Sequence, residues 1–130
     1  MSEQKPNYKH GQICWYELTT DDSKTAQEFY KNLLGWQFEQ SPNSEMEYPY
    51  IYLDKKENGF GGVMQMTEEW GDDIPSHWMT YIAVDDVDAT CEKIKENGGD
   101  ICVSPTDIPV GRFAVVNDPS KATFSIIKFN

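Results

Sequence analysis

The sequence predicts an α+β fold built from two tandem β-α-β-β-β modules, and three observations predict it. The stretch TTDDSKTAQEFYKNLLGW (Thr19–Trp36) has a counterpart in AVDDVDATCEKIKENGGD (Ala83–Asp100). Each opens on paired aspartates, runs through a helical pattern and stops at glycine. A strand-like run precedes each helix and three such runs follow it. Turn chemistry separates the runs, with ENG at Glu57–Gly59, IPVG at Ile108–Gly111 and NDPS at Asn117–Ser120.

The first strand is ICWYELTT (Ile13–Thr20), rich in β-branched and aromatic residues. Ala26, Phe29, Tyr30, Leu33 and Leu34 then fall at i, i+3, i+4, i+7 and i+8, one face of an α-helix. Asp21 or Asp22 caps its start, and Gly35 ends it where a left-handed residue is needed. WQFEQ (Trp36–Gln40), YPYIYLD (Tyr48–Asp54) and FGGVMQM (Phe60–Met66) complete the first module, with Gly61-Gly62 allowing a close backbone approach. The acidic stretch EEWGDDIP (Glu68–Pro75) is a linker. HWMTYIAV (His77–Val84) opens the second module. Val87, Thr90, Cys91 and Ile94 trace a weaker helical stripe, capped by Asp85 or Asp86 and stopped at Gly98-Gly99. DICVS (Asp100–Ser104), RFAVVN (Arg112–Asn117) and TFSIIKF (Thr123–Phe129) follow. The expected organisation is one domain over 11–130, with module one at 11–67, the linker at 68–75, module two at 76–130 and a tail at 1–10.

A chain of 130 residues buries a real core, and its 4 Trp, 7 Tyr and 6 Phe argue for compact folding. Acidic residues outnumber basic ones 22 to 11, for a net charge of −11. Nucleic acid is therefore excluded as a partner, because phosphate binding relies on Lys and Arg. An anionic membrane surface is excluded by the same repulsion. No run reaches the roughly 18 apolar residues of a membrane span. The N-terminal MSEQKPNYKHGQ lacks the apolar core of a secretory signal. Cys14, Cys91 and Cys102 form no CxxC pair and read as free, mostly buried, inert thiols, so the expected location is cytoplasmic.

FYKNLLGW (Phe29–Trp36), AVDDVDA (Ala83–Ala89) with Gly98-Gly99, and GRFAVVNDPSKATFSI (Gly111–Ile126) carry a family likeness. Within the tandem order they resemble the vicinal oxygen chelate superfamily, which includes glyoxalase I, extradiol dioxygenases, and bleomycin and fosfomycin resistance proteins. The likeness runs from Gly11 onward and looks most like a glyoxalase-like branch. It implies two half-barrels facing each other around a cavity, and a homodimer. Duplication then makes a two-walled pocket that one module cannot enclose. In the enzymes, a divalent metal is held by one residue from the first and last strand of each module, typically His, Gln or Glu.

Carried over position by position, those ligands fall on Trp15, Gln65, Met79 and Ser125. Indole does not ligate, Met is soft, and a neutral Ser hydroxyl is weak, which leaves Gln65. The expectation is therefore no metal and no other cofactor. If a divalent metal does bind, Glu17, Gln65 and His77 are the residues for an improvised site.

Period-2 alternation turns Trp15, Glu17 and Thr19 toward the implied cavity, with Cys14, Tyr16 and Leu18 toward the helix. On the fifth strand His77, Met79, Tyr81 and Ala83 share that face, as do Thr123, Ser125 and Ile127 on the last. Glu17 reads two ways: a general base or ligand-orienting acceptor, or a carboxylate hydrogen-bonded across the pocket or at its rim. His77 reads as a proton shuttle or a rim hydrogen bond. Gln65 is a ligand-contacting amide or a satisfied polar group. Trp15, Met79 and Tyr81 line the pocket or pack the core. Arg112 is placed to bind a substrate carboxylate. Phosphate-loop, dinucleotide and nucleophile-elbow motifs are absent.

The function expected is binding of a small molecule in the cavity. The alternatives are a lyase, isomerase or dioxygenase-type enzyme using Glu17 as base or a non-standard metal site, and a partner-binding domain with a vestigial cavity.

Overall fold

In this computed structural model the described residues are 8–40, 47–55 and 59–130; Glu57 and Asn58 of the expected ENG turn lie outside them. The chain forms two compact units, Trp15–Trp78 and residues 8–14 with Met79–Asn130.

The first unit holds most of β1 (Ile13–Thr20), then α1 (Ser23–Leu34), β2 (Gln37–Gln40), β3 (Pro49–Tyr52) and β4 (Gly61–Gln65). Its strand order is β2-β3-β4-β1, with β1 parallel to β4 and the other neighbours antiparallel. A 3₁₀ turn, Glu68–Trp70, occupies the start of the acidic linker. The Asp22 side chain caps α1 by accepting from the Thr25 N–H at 3.1 Å, and Gly35 closes it at φ 74°. Leu18, Ile51 and Val63 form the core beneath the helix. Burying each such side chain stabilises the fold by ~1.5–3 kcal/mol.

From the expected helical stripe, Ala26 and Tyr30 pack on this core. Phe29, Leu33 and Leu34 do not, standing 57%, 61% and 51% exposed. Among the described residues, the stripe is wider than the surface offered to it. An aromatic cluster continues the core: Tyr30 stacks on Trp36 at 5.2 Å, and the Trp78 indole N–H donates to the Tyr30 hydroxyl at 3.1 Å.

The second unit orders its strands β5-β8-β7-β6, from β5 (His77–Ala83, with His77 and Trp78 in the first unit), β6 (Asp100–Ile108), β7 (Gly111–Asn117) and β8 (Thr123–Phe129). β5 runs parallel to β8, while β6-β7 and β7-β8 are antiparallel. α2 (Val87–Glu96) is capped by Asp86, which accepts from the Ala89 N–H at 2.9 Å, and Gly98 follows it at φ 93°. Val87 and Cys91 are buried with Val84, Ala114, Val116 and Ile126, and Ile94 packs alongside.

Residues 8–14 are tied to this unit. Gly11 N–H donates to the Ala83 carbonyl at 2.7 Å, Ala83 N–H to Gln12 at 2.8 Å, and Tyr8 meets the Phe129 ring. β6 runs past the expected Ser104 to Ile108, with two register shifts. It is the outermost strand, so it tolerates Pro105, which has no N–H to offer a neighbour. The same outer position leaves Cys102 exposed, against the buried thiol expected; Cys14 and Cys91 are buried. No helix among the described residues is long and apolar enough to cross a membrane.

Candidate functional site

The register of three strands builds the most chemically distinctive face of the first unit. Gly62 of β4 is paired with Glu17 on β1 and with Tyr50 on β3, so Tyr50, Gly62 and Glu17 lie abreast on one face. Gly62 leaves a notch in that row. A Cβ added there would collide with the Tyr48 ring, so the ring lies directly over the glycine backbone. From that seat the Tyr48 hydroxyl donates to Glu17 Oε1 at 2.7 Å and accepts from the Trp15 indole N–H at 3.0 Å. Trp15 and Tyr48 both meet the Tyr50 ring edge to face, at 5.5 and 6.1 Å.

Glu17 is only 6% exposed within this aromatic frame. The phenol–carboxylate contact is charge-assisted, so it fixes the carboxylate firmly. Two residues along the same strand face, Thr19 is 1% exposed, and its hydroxyl has no hydrogen-bond partner among the described residues. A buried hydroxyl without a partner costs ~1–3 kcal/mol, which a bound group can recover.

Other expected site residues are occupied elsewhere. Gln65 pairs with Thr20, on the Leu18 and Val63 face and opposite Glu17. Its Oε1 accepts from Ser23 N–H at 2.8 Å, and its Nε2 donates to the Asp21 and Met66 carbonyls at 2.8 and 3.0 Å. It thus ties the end of β4 to the start of α1. His77 Nδ1 donates to the Pro75 carbonyl at 2.8 Å. In the second unit, Tyr81 is paired with Ser125, whose hydroxyl donates to Met79 Sδ at 2.9 Å. The Cys14 thiol donates to the Tyr81 carbonyl at 3.5 Å, and burial pushes its pKa up to about 11.

Arg112 grips two carboxylates, Asp88 through Nε and Nη2 at 2.8 and 3.0 Å and Asp107 through Nη1 at 2.9 Å. Its hydrogen bonds hold Asp88 below the ordinary carboxylate range. A substrate carboxylate at Arg112 would have to displace one of these partners. The second unit also carries a cleft of about 330 Å³ between α2 and β6, lined by Asp88, Glu92, Lys95, Ile101 and Pro105 among others.

The donors at the four carried-over metal positions do not fit a divalent ion. The indole nitrogen of Trp15 has no lone pair to give, and its N–H is spent on Tyr48. The Gln65 oxygen is spent on Ser23, and the Ser125 hydroxyl on a thioether. The improvised set is divided as well, since Glu17 and Gln65 occupy opposite faces of the sheet. No group of three or more His, Cys, Asp or Glu side chains among the described residues could hold a metal.

Tyr48 and Tyr50 escaped the sequence reading. The available signal was Gly61-Gly62, because a glycine abreast of a strand carboxylate invites a ring to lie over it.

Comparison with known proteins agrees with the architecture. The family model described as Glyoxalase/Bleomycin resistance protein/Dioxygenase superfamily matches residues 12–126. CFP32 of Mycobacterium tuberculosis, named as a glyoxylase, is 39% identical over 123 residues, covering 91% of this chain and 44% of that protein. The anthracycline biosynthesis protein DnrV of Streptomyces peucetius is 30% identical, covering 91% of this chain and 42% of that one. This chain therefore spans less than half the length of both. The lactoylglutathione lyase of Haemophilus influenzae is 30% identical over 115 residues, covering 83% of this chain and 85% of the lyase. Among solved structures, methylmalonyl-CoA epimerase from Mycobacterium tuberculosis aligns with a TM-score of 0.61 at 13% identity, covering 92% of this chain and 88% of the epimerase. At that identity the likeness concerns the fold alone.

Proposed function

Because the chain belongs to the glyoxalase/bleomycin resistance protein/dioxygenase superfamily, we propose that it binds a small organic molecule at the Trp15–Tyr48–Glu17 face of its first unit. The observation that carries this reading is Glu17, 6% exposed and held by Tyr48 in an aromatic frame. Binding sites combine apolar and aromatic walls with a few well-placed polar groups, and this face has that composition. The relatives named for anthracycline biosynthesis make planar aromatic compounds a sensible class to screen. A thermal-shift screen of planar organic molecules tests the proposal. Hits should stabilise the wild type and lose most of their effect in Trp15→Ala. Equal stabilisation of both proteins would place binding elsewhere.

A second reading makes Glu17 a general base that takes a proton from a carbon next to a carbonyl, as in a lyase or isomerase. It is favoured by the hydrogen bond that orients the carboxylate, since a base must be aimed as well as basic. Glu17→Gln should then abolish turnover of a screened compound while retaining its binding; unchanged turnover removes the base role.

The chain is also proposed to act as a homodimer. The support is the exposed apolar edge of α1, formed by Phe29, Leu33 and Leu34.

A further inference from the structure

We infer that the Thr19 hydroxyl anchors a ligand oxygen, so that the molecule taken at the Trp15–Tyr48–Glu17 face is a planar compound bearing a carbonyl, an inference that rests on the site proposed above. Among the described residues, Thr19 Oγ1 is the buried side-chain polar atom that no hydrogen bond satisfies, in a residue 1% exposed. Its buried polar neighbours along the chain are employed. The Thr20 hydroxyl accepts from the Asp22 N–H at 3.1 Å, and the Ser23 hydroxyl accepts from Gln27 Nε2 at 2.9 Å. Packing alone does not ask for a hydroxyl at position 19. Valine has nearly the same branched shape and the same strand preference, and it would leave nothing unsatisfied. A buried group that lowers stability and serves no partner among the described residues is what a ligand contact looks like in the free protein.

Strand geometry aims this hydroxyl into the proposed site. Thr19 follows Trp15 and Glu17 on the same face of β1, ~6.6 Å beyond Glu17 and ~13 Å beyond Trp15. Abreast of it on β4 stands Met64, which is partly exposed. A flexible thioether chain can move aside for an incoming group without disturbing the backbone.

The single proton of the hydroxyl sets the ligand chemistry. An oxygen with two lone pairs tolerates one unused, whereas a buried O–H without an acceptor forfeits its whole bond. The larger gain therefore comes from an acceptor on the ligand. A carbonyl conjugated to a ring system presents its lone pairs in the plane of that system. Trp15 and Tyr50, which meet edge to face, then hold the ring while Thr19 holds the oxygen at its edge.

Two naphthalenes that differ at one carbon test the inference: 2-acetylnaphthalene, a ketone, and 2-ethylnaphthalene, with a methylene in its place. Tryptophan fluorescence titration of the full chain should show the ketone bound about tenfold tighter, the scale of satisfying one buried hydroxyl. Thr19→Val should erase that preference while holding or raising the melting temperature. Thr19→Ser keeps the hydroxyl and should keep the preference, which leaves the test decisive if the valine variant folds poorly.

Equal binding of the two compounds, abolished in Trp15→Ala, would overturn the anchor and leave the site standing. A ketone preference that survives in Thr19→Val would place the donor elsewhere. A marked fall in that variant's melting temperature would show that the hydroxyl already has a partner, and either result overturns the inference. Binding of neither compound, or binding indifferent to Trp15→Ala, would remove the inference and the site together.

Discussion

Tyr48 decides what Glu17 can do. Its ring needs the missing side chain at Gly62, and its hydroxyl bridges the Trp15 indole and the Glu17 carboxylate. Tyr48→Phe keeps the ring and deletes the bridge. The expected cost is roughly 1.5–3 kcal/mol in urea unfolding, the range for a hydrogen bond to a charged group. A loss below about 0.5 kcal/mol would mean that the bridge is idle, since that is the ordinary scatter for surface changes. Glu17 was legible in the sequence because strand alternation sets it between Trp15 and Thr19. Tyr48 was not, because it precedes its strand and reaches Glu17 only through a pairing register that one chain cannot reveal. The same limit applies to Gln65: its position fits a ligand by counting, but the register with Thr20 turns it toward α1.

The helices and strands were the most legible elements, since caps and periods are local. Asp22, Gly35, Asp86 and Gly98 all stand at helix ends as their chemistry requires. The length of β6 was harder to read, because Pro105 reads as a strand end unless the strand is known to be outermost. The α1 stripe showed the opposite failure. Periodicity marked the apolar face correctly, but it could not say that Leu33 and Leu34 outrun the core. That surplus leads to an expectation for the proposed dimer. Leu33→Asp should shift the protein to monomer in sedimentation velocity with its helical circular dichroism unchanged, since the site is 61% exposed. A wild type that sediments as a monomer, or a variant that remains a dimer, would rule out this edge as the contact.

At the scale of the whole molecule, charge and acid set the stability profile. Three carboxylates are held below their ordinary value of 3.8: Asp22 by the Thr25 backbone N–H, Asp88 by Arg112 and Asp118 by the Ser120 hydroxyl. A depressed folded pKa stabilises above the unfolded value, and that contribution fades as pH falls through the folded one. The loss therefore belongs below about pH 4. Above it, acidification from neutrality relieves the self-repulsion of a −11 chain as the pI of 4.4 is approached. Urea midpoints should thus hold or rise from pH 7 to near 4.5 and then fall, with a shallower acid limb in Asp88→Asn. A monotonic decline from pH 7 would show that other groups dominate.

We propose that the Trp15–Tyr48–Glu17 face takes an organic molecule and that Trp15, Gln65, Met79 and Ser125 hold no divalent metal. Native mass spectrometry of protein equilibrated with zinc and nickel, then desalted without chelator, tests it most directly. The expected result is a chain mass free of stoichiometric metal that gains one organic ligand on adding a screened hit, with the gain lost in Trp15→Ala. One divalent ion retained per chain would contradict it.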